Sequence, residues 1–158
     1  MNKFLPLIEK VLVISLIIGF LLKFSGTNVP ILLNLSLAGL GITFFLKIYL
    51  PIDIETEENV QPEESKISGL NELLSKYIIP KVIWIGTAIA TIGILLYNLQ
   101  LGNEGYLRLL YMGGLTIIVA FIVMLFLKAI GTKYLKAGIP ALIRALPTLL
   151  IVGYILFV

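Results

Sequence analysis

Apolar residues fall into five long runs, separated by short polar turns and one long acidic stretch. Each run approaches the roughly twenty residues that carry a helix across a ~30 Å hydrocarbon core. The pattern predicts spans over 4–24, 29–50, 81–100, 106–127 and 140–158. The first two are joined by Ser25–Asn28, a Gly- and Asn-bearing turn, with Pro30 suited to the first turn of the next helix. The expected fold class is therefore all-α, a polytopic membrane protein with five transmembrane helices.

The polar segments complete the organisation. A first transmembrane hairpin occupies 1–50, and an acidic linker 51–68 follows. That linker is proline-punctuated and without period, which predicts a flexible cytoplasmic segment. Its carboxylates Asp53, Glu55, Glu57, Glu58, Glu63 and Glu64 read as a solvated run, or more sharply as a docking strip for a basic partner. Over 69–79, Leu70, Leu73, Leu74, Tyr77 and Ile78 recur on one helical face opposite Asn71, Glu72, Ser75 and Lys76. This predicts a short amphipathic helix on the membrane surface, with Ser68 as its N-cap. The alternative is a helix continuous with the third span through Pro80. A second hairpin spans 80–128, a basic loop 129–139, and a fifth helix 140–158.

Composition sharpens this reading. The 158 residues are 59% apolar and 13% charged, with net charge +3, and mean hydropathy is +1.05. Soluble domains are nearer a quarter charged. There is no cysteine and no histidine, which excludes disulfides, Cys/His metal sites, thiol nucleophiles and histidine acid–base catalysis. No catalytic triad, phosphate loop or basic–aromatic pattern for nucleic acid is present, so the expectation is a protein without cofactor, metal or enzymatic activity.

Charge distribution predicts orientation. With the N-terminus inside, Lys3, Lys10, Lys47, Lys66, Lys76, Lys81, Lys128, Lys133, Lys136 and Arg144 lie on the inner side, and only Lys23 and Arg108 outside. That bias places the N-terminus in the cytoplasm and the C-terminus outside. Lys3 before an apolar run superficially resembles a secretory signal. The run is too long and lacks an A-x-A-like cleavage site, so a retained helix is expected.

Two stretches resemble each other. "IEKVLVISLIIGFLLK" and "IPKVIWIGTAIATIGILLY" both open I-x-K-V and carry G-x-L-L. Each is followed by a polar turn, a second Leu-Leu, a Gly-Leu, a phenylalanine and a terminal lysine. Two explanations stand: chance similarity between low-complexity oily runs, or a duplicated hairpin, which would be a parallel duplication rather than the inverted repeat of many transporters.

Candidate functional positions follow from membrane physics. Asn34, Ala38 and Gly41, then Gly86, Ala90 and Gly93, then Gly113 and Ala120 form small-residue faces for close helix packing, within the chain or against a second subunit. Asn34 and Asn98 are the polar groups most in need of partners. Lys23, Lys128, Lys133, Lys136 and Arg144 are candidate contacts for lipid headgroups or a partner. Lys23 reads as an interfacial anchor that snorkels. Arg144, one turn into the fifth helix, either snorkels or pairs with a carboxylate, Glu9 or one from a partner. No acid is expected at membrane depth, Glu9 being near an inner helix end and Glu104 in an outer loop. This argues against autonomous proton coupling.

The stretch "IIGFLLKFSGTNVPILLNLSLAGLGITFFLKIYLPIDIE" resembles small inner-membrane proteins of Bacteroidetes-type bacteria. It is similar in particular to the transmembrane hairpin of the L subunit of the gliding-motility and type 9 secretion motor. The shared features are a glycine a few residues before a Leu-Lys, a short turn, Gly-Leu in the second span and an acidic P-x-D exit. The stretch, Ile17–Glu55, covers about a quarter of the 158 residues. That family has a carboxylate a few residues after the Gly-Leu; here Thr43 stands near that place.

Three functions are open at this level. The first is a non-enzymatic accessory or structural subunit of a larger inner-membrane complex, packed with other membrane subunits or with itself. The second is a small oligomeric transporter or channel with Asn34, Thr43, Thr87, Thr91 and Asn98 as its polar pathway. The third is a lipid-binding membrane protein using the basic loop near Arg144.

Overall fold

The computed structural model describes residues 4–26, 29–50, 71, 73–101, 104–130 and 138–157. Among these there is no strand, and five helices are long and apolar enough to cross a membrane. They are α1 (Phe4–Phe24), α2 (Pro30–Tyr49), α3 (Ile79–Asn98), α4 (Gly105–Ala129) and α5 (Ile139–Phe157). The acidic linker, Ser68, Leu70, Glu72 and the loop bearing Lys133 and Lys136 lie outside the described residues.

The α1–α2 turn is closed by Gly26, whose φ of 83° suits a residue without Cβ. Its N–H donates to the Lys23 carbonyl at 3.3 Å. Pro30 opens α2, where a missing N–H costs nothing. Before α3 the chain is already helical. A π-turn, Leu74–Ile78, runs into α3, with the Ile79 N–H donating to the Leu74 carbonyl. Of the two geometries weighed for this stretch, the described residues follow the continuous helix. The physical reason is Pro80, whose ring lacks an N–H and crowds the carbonyl four residues back; a widened turn just before it relieves both problems.

Helix α3 is the hub. It packs against α2, α4 and α5, while α1 packs on α2. Consecutive helices run antiparallel: Gly19 meets Leu33 while Gly39 meets Leu12, Gly41 meets Ile92 while Asn34 meets Asn98, and Gly93 meets Leu110 while Gly86 meets Ile117. Helices α3 and α5 are therefore parallel, with Trp84 and Arg144 at the same end. Ile83, Leu110, Ile117 and Thr87 are the largest fully buried side chains. The outer faces of the bundle are oily: Ile14, Leu21, Leu35, Leu115, Ile122 and Leu150 are all exposed. Around a bundle in lipid, such faces have a matching solvent.

The small residues make the α3–α4 seam. A Cβ on Gly113 would sit 2.5 Å from the Ala90 backbone nitrogen, and one on Gly86 would sit 2.9 Å from Ile117 Cγ1. The same contact closes both hairpins. Gly19 of the first G-x-L-L receives Leu33, the second residue of its following Leu-Leu; Gly93 of the second receives Leu110, likewise. The two segments that resemble each other in sequence therefore lock in the same way.

A methyl at Gly113 meets backbone, which cannot swing aside, so Gly113→Ala should cost about 1–3 kcal/mol, the usual range for overpacking. Gly153 has open space where its Cβ would be, so Gly153→Ala should be neutral or slightly stabilising. Thermal unfolding of the two variants in one detergent checks the contrast.

Candidate functional site

The polar chemistry gathers at the end of the bundle formed by the start of α1, the end of α2 and the start of α5. Glu9 lies five residues into α1, about 7.5 Å along the axis at 1.5 Å per residue. It is only 7% exposed. Contrary to the expectation from sequence, then, a carboxylate is buried inside a spanning helix. The reason lies in its partners. Glu9 accepts a hydrogen bond from Lys47 near the end of α2. It accepts a second on the same oxygen, Oε2, from Arg144 Nη1 at 3.4 Å. A carboxylate that leaves water needs such partners, because its desolvation is repaid only by close, hydrogen-bonded cations.

Lys47 is held on its other side by aromatic rings. Its ammonium lies 4.2 Å from the Trp84 ring centroid and 6.0 Å from that of Phe44. The two rings stack, 5.6 Å apart and inclined by 25°. A desolvated cation on an indole face gains up to about 2 kcal/mol. So α1 supplies the anion, α2 a cation, α3 the indole and α5 a second cation. Arg144 remains half exposed, with a side-chain relative exposure of 48% against 9% for Lys47 and Glu9. Of the alternatives weighed for Arg144, the structure combines two: it reaches outward and also pairs with Glu9.

A second polar contact lies toward the opposite end. Asn98 Nδ2 donates to Asn34 Oδ1 at 2.6 Å, tying α3 to α2. The two asparagines singled out as needing partners are each other's partner. The remaining candidates for a polar pathway face inward but are spent locally. Thr43 donates to the Gly39 carbonyl at 2.8 Å. Thr87 donates to Ile83 and Thr91 to Thr87, each at 2.7 Å. Among the described residues, every buried side-chain nitrogen and oxygen has a hydrogen-bond partner.

The small-residue candidates Gly41, Gly86, Ala90, Gly93, Gly113 and Ala120 are buried within the chain, and Asn34 and Ala38 half-buried. Lys23 and Lys128 are exposed at opposite ends of the bundle. Arg108 and Glu104 form an exposed i,i+4 pair at 3.9 Å, a contact of little weight.

Lys47 and Trp84 were not among the sequence candidates. A signal for them existed. The two halves read I-E-K-V and I-P-K-V, so the first carries an acid where the second has proline. The terminal lysine of the first half, Lys47, is the one buried against that acid, while Lys128 of the second is exposed. No family model, curated protein or solved structure matches this chain.

Removing the anion strands two cations, one of them buried. Glu9→Gln should destabilise the bundle by about 3–5 kcal/mol, as for other broken buried pairs, and the added change Lys47→Met should recover much of it. A double-mutant cycle of Asn34→Leu and Asn98→Leu should give a coupling of about 0.6–1.7 kcal/mol, the range for hydrogen bonds between membrane helices. Reversible unfolding in detergent measures both.

Proposed function

We propose that this protein is a non-enzymatic, multi-pass accessory or structural subunit of a larger bacterial inner-membrane complex. The observation that carries the reading is how its membrane-depth polar groups are disposed. Glu9, Lys47, Asn34 and Asn98 are tied between helices, and Thr43, Thr87 and Thr91 bond within their own. A route for an ion or solute needs polar groups that can be exchanged for a passing ligand. Here they hold the bundle together instead. With α3–α4 closed on its own small residues, what the chain offers a neighbour is the oily outside of α1, α4 and α5 and the basic end.

The same reading places Lys47, Lys128 and Arg144 on the cytoplasmic side, with the N-terminus in the cytoplasm and the C-terminus outside. The antiparallel bundle supports it, since Glu9, Lys47, Lys128 and Arg144 lie near helix ends on one side and Lys23 and Arg108 near those on the other.

Purification in mild detergent followed by mass spectrometry should recover stoichiometric membrane partners. A lone homogeneous oligomer would sink the subunit reading. Thr91→Val should leave solute flux in liposomes unchanged, because its hydroxyl serves only its own helix; altered flux would favour a transporter. Reporter fusions after Glu57 and after Lys133 should both report the cytoplasm.

A further inference from the structure

We propose that Arg144 and the Glu9–Lys47 pair behind it form a seat for the phosphate of an anionic lipid headgroup. This goes beyond the subunit reading and rests only on the bundle being embedded in lipid.

Charge comes first. The cluster holds one carboxylate and two cations, a surplus of one positive charge in a poorly hydrated setting. Lys47 cannot be the binding group, since it is enclosed by Glu9 and the Trp84 face. The surplus falls to Arg144. A guanidinium carries five N–H donors, and the long 3.4 Å contact to Glu9 engages one nitrogen, Nη1. Its half-exposed side chain presents the rest outward. Arginine's fork matches a phosphate, to which it can give two parallel hydrogen bonds.

Depth and surroundings favour a lipid over a free anion. Arg144 lies five residues into α5, about 7.5 Å from its first residue, within reach of the headgroup layer for a side chain of this length. On the same helix, Ile143, Leu146 and Leu150 are exposed. An acyl chain beneath the headgroup would lie along this stripe. A free phosphate gains nothing from it. A zwitterionic headgroup brings its own cation and leaves the surplus charge uncancelled, so the preference is for an acidic lipid.

The test uses the full chain in detergent. Trp84 is the protein's one tryptophan, and the Lys47 ammonium rests on its ring, so its fluorescence reports on the cluster. Phosphatidylglycerol should shift the emission saturably, with phosphatidylcholine about fivefold weaker, the effect of about one basic residue near an anionic surface. Arg144→Ala should lose about the same factor, Arg144→Lys, which keeps the charge and loses the fork, should fall between wild type and Arg144→Ala, and Arg108→Ala, at the far end, should behave as wild type. Inorganic phosphate should not reproduce the shift. Equal binding of the two lipids, wild-type affinity in Arg144→Ala, or an equal loss in Arg108→Ala would each overturn the proposal. Saturation by inorganic phosphate at lipid-like concentration would replace the lipid with a small anion and overturn it too. Because the titration needs neither a partner subunit nor flux, its failure is distinct from failure of the subunit reading.

Discussion

The structure depends on how closely α3 and α4 approach at Gly113 and Ala90. In lipid there is no hydrophobic force to press two oily helices together, since the tails are as apolar as leucine. What remains is van der Waals contact, which falls steeply with distance. Gly113 lets the α4 backbone settle against the backbone of Ala90, and Gly86 and Gly93 extend the seam by a turn each way. That approach fixes α3 as the hub, and α2 and α5 then find their places on its other faces. The buried Thr87 of α3 is satisfied within its own helix.

Polar groups do a different job, joining helices that the small residues do not. Asn34 and Asn98 set the register of the two hairpins at one end. Glu9 sets it at the other, and does more. Helices α1 and α5 are not among the main packing partners, yet the Glu9 carboxylate reaches both the Lys47 ammonium of α2 and the Arg144 guanidinium of α5. It acts as a clasp across elements whose apolar faces alone would leave them loosely related. The clasp also explains why one terminal lysine is buried and the other exposed. Lys47 has an acid and an indole to meet; at the position equivalent to Glu9 in the second half stands Pro80, so Lys128 has no such acid there and stays exposed.

The helices were legible in the sequence because length and oiliness suffice to define a spanning helix; the ends of α1 to α5 differ from expectation by at most two residues, although the π-turn carries the third span's helix back to Leu74. The packing faces were legible for a similar reason: Gly86, Ala90 and Gly93 recur at helical spacing, and small residues have one physical use in lipid. Which face meets which was not legible, since Asn34 and Asn98 are 64 positions apart and only the folded bundle brings them together. The ionic cluster was half legible. Arg144 invited a carboxylate partner, with Glu9 as one choice, but a place near a helix end gave no sign that Glu9 is buried or that Lys47 shares it. Nearness to an end along one helix says nothing of enclosure by its neighbours. Trp84 was invisible as a cation's partner because an aromatic residue in a span reads first as lipid-facing or core.

Whether such a bundle moves during its work turns on which bonds a movement would break. The threonine hydroxyls are indifferent to helix displacement, because donor and acceptor travel together on one helix. The glycine seams and the cross-helix polar ties are not. Sliding α3 along α4 by one residue lifts Ala90 out of the Gly113 notch and drives a side chain toward backbone. Withdrawing α1 leaves Lys47 enclosed without its anion, a cost several times thermal energy. Sequence spent on glycine notches, a paired amide and a shared carboxylate is sequence that selects one arrangement over its neighbours. An alternating-access protein needs two arrangements within a few kcal/mol of each other. Under the subunit reading proposed above, the bundle is a part held in shape, and its half-exposed Arg144 and oily flanks are what it presents to its surroundings.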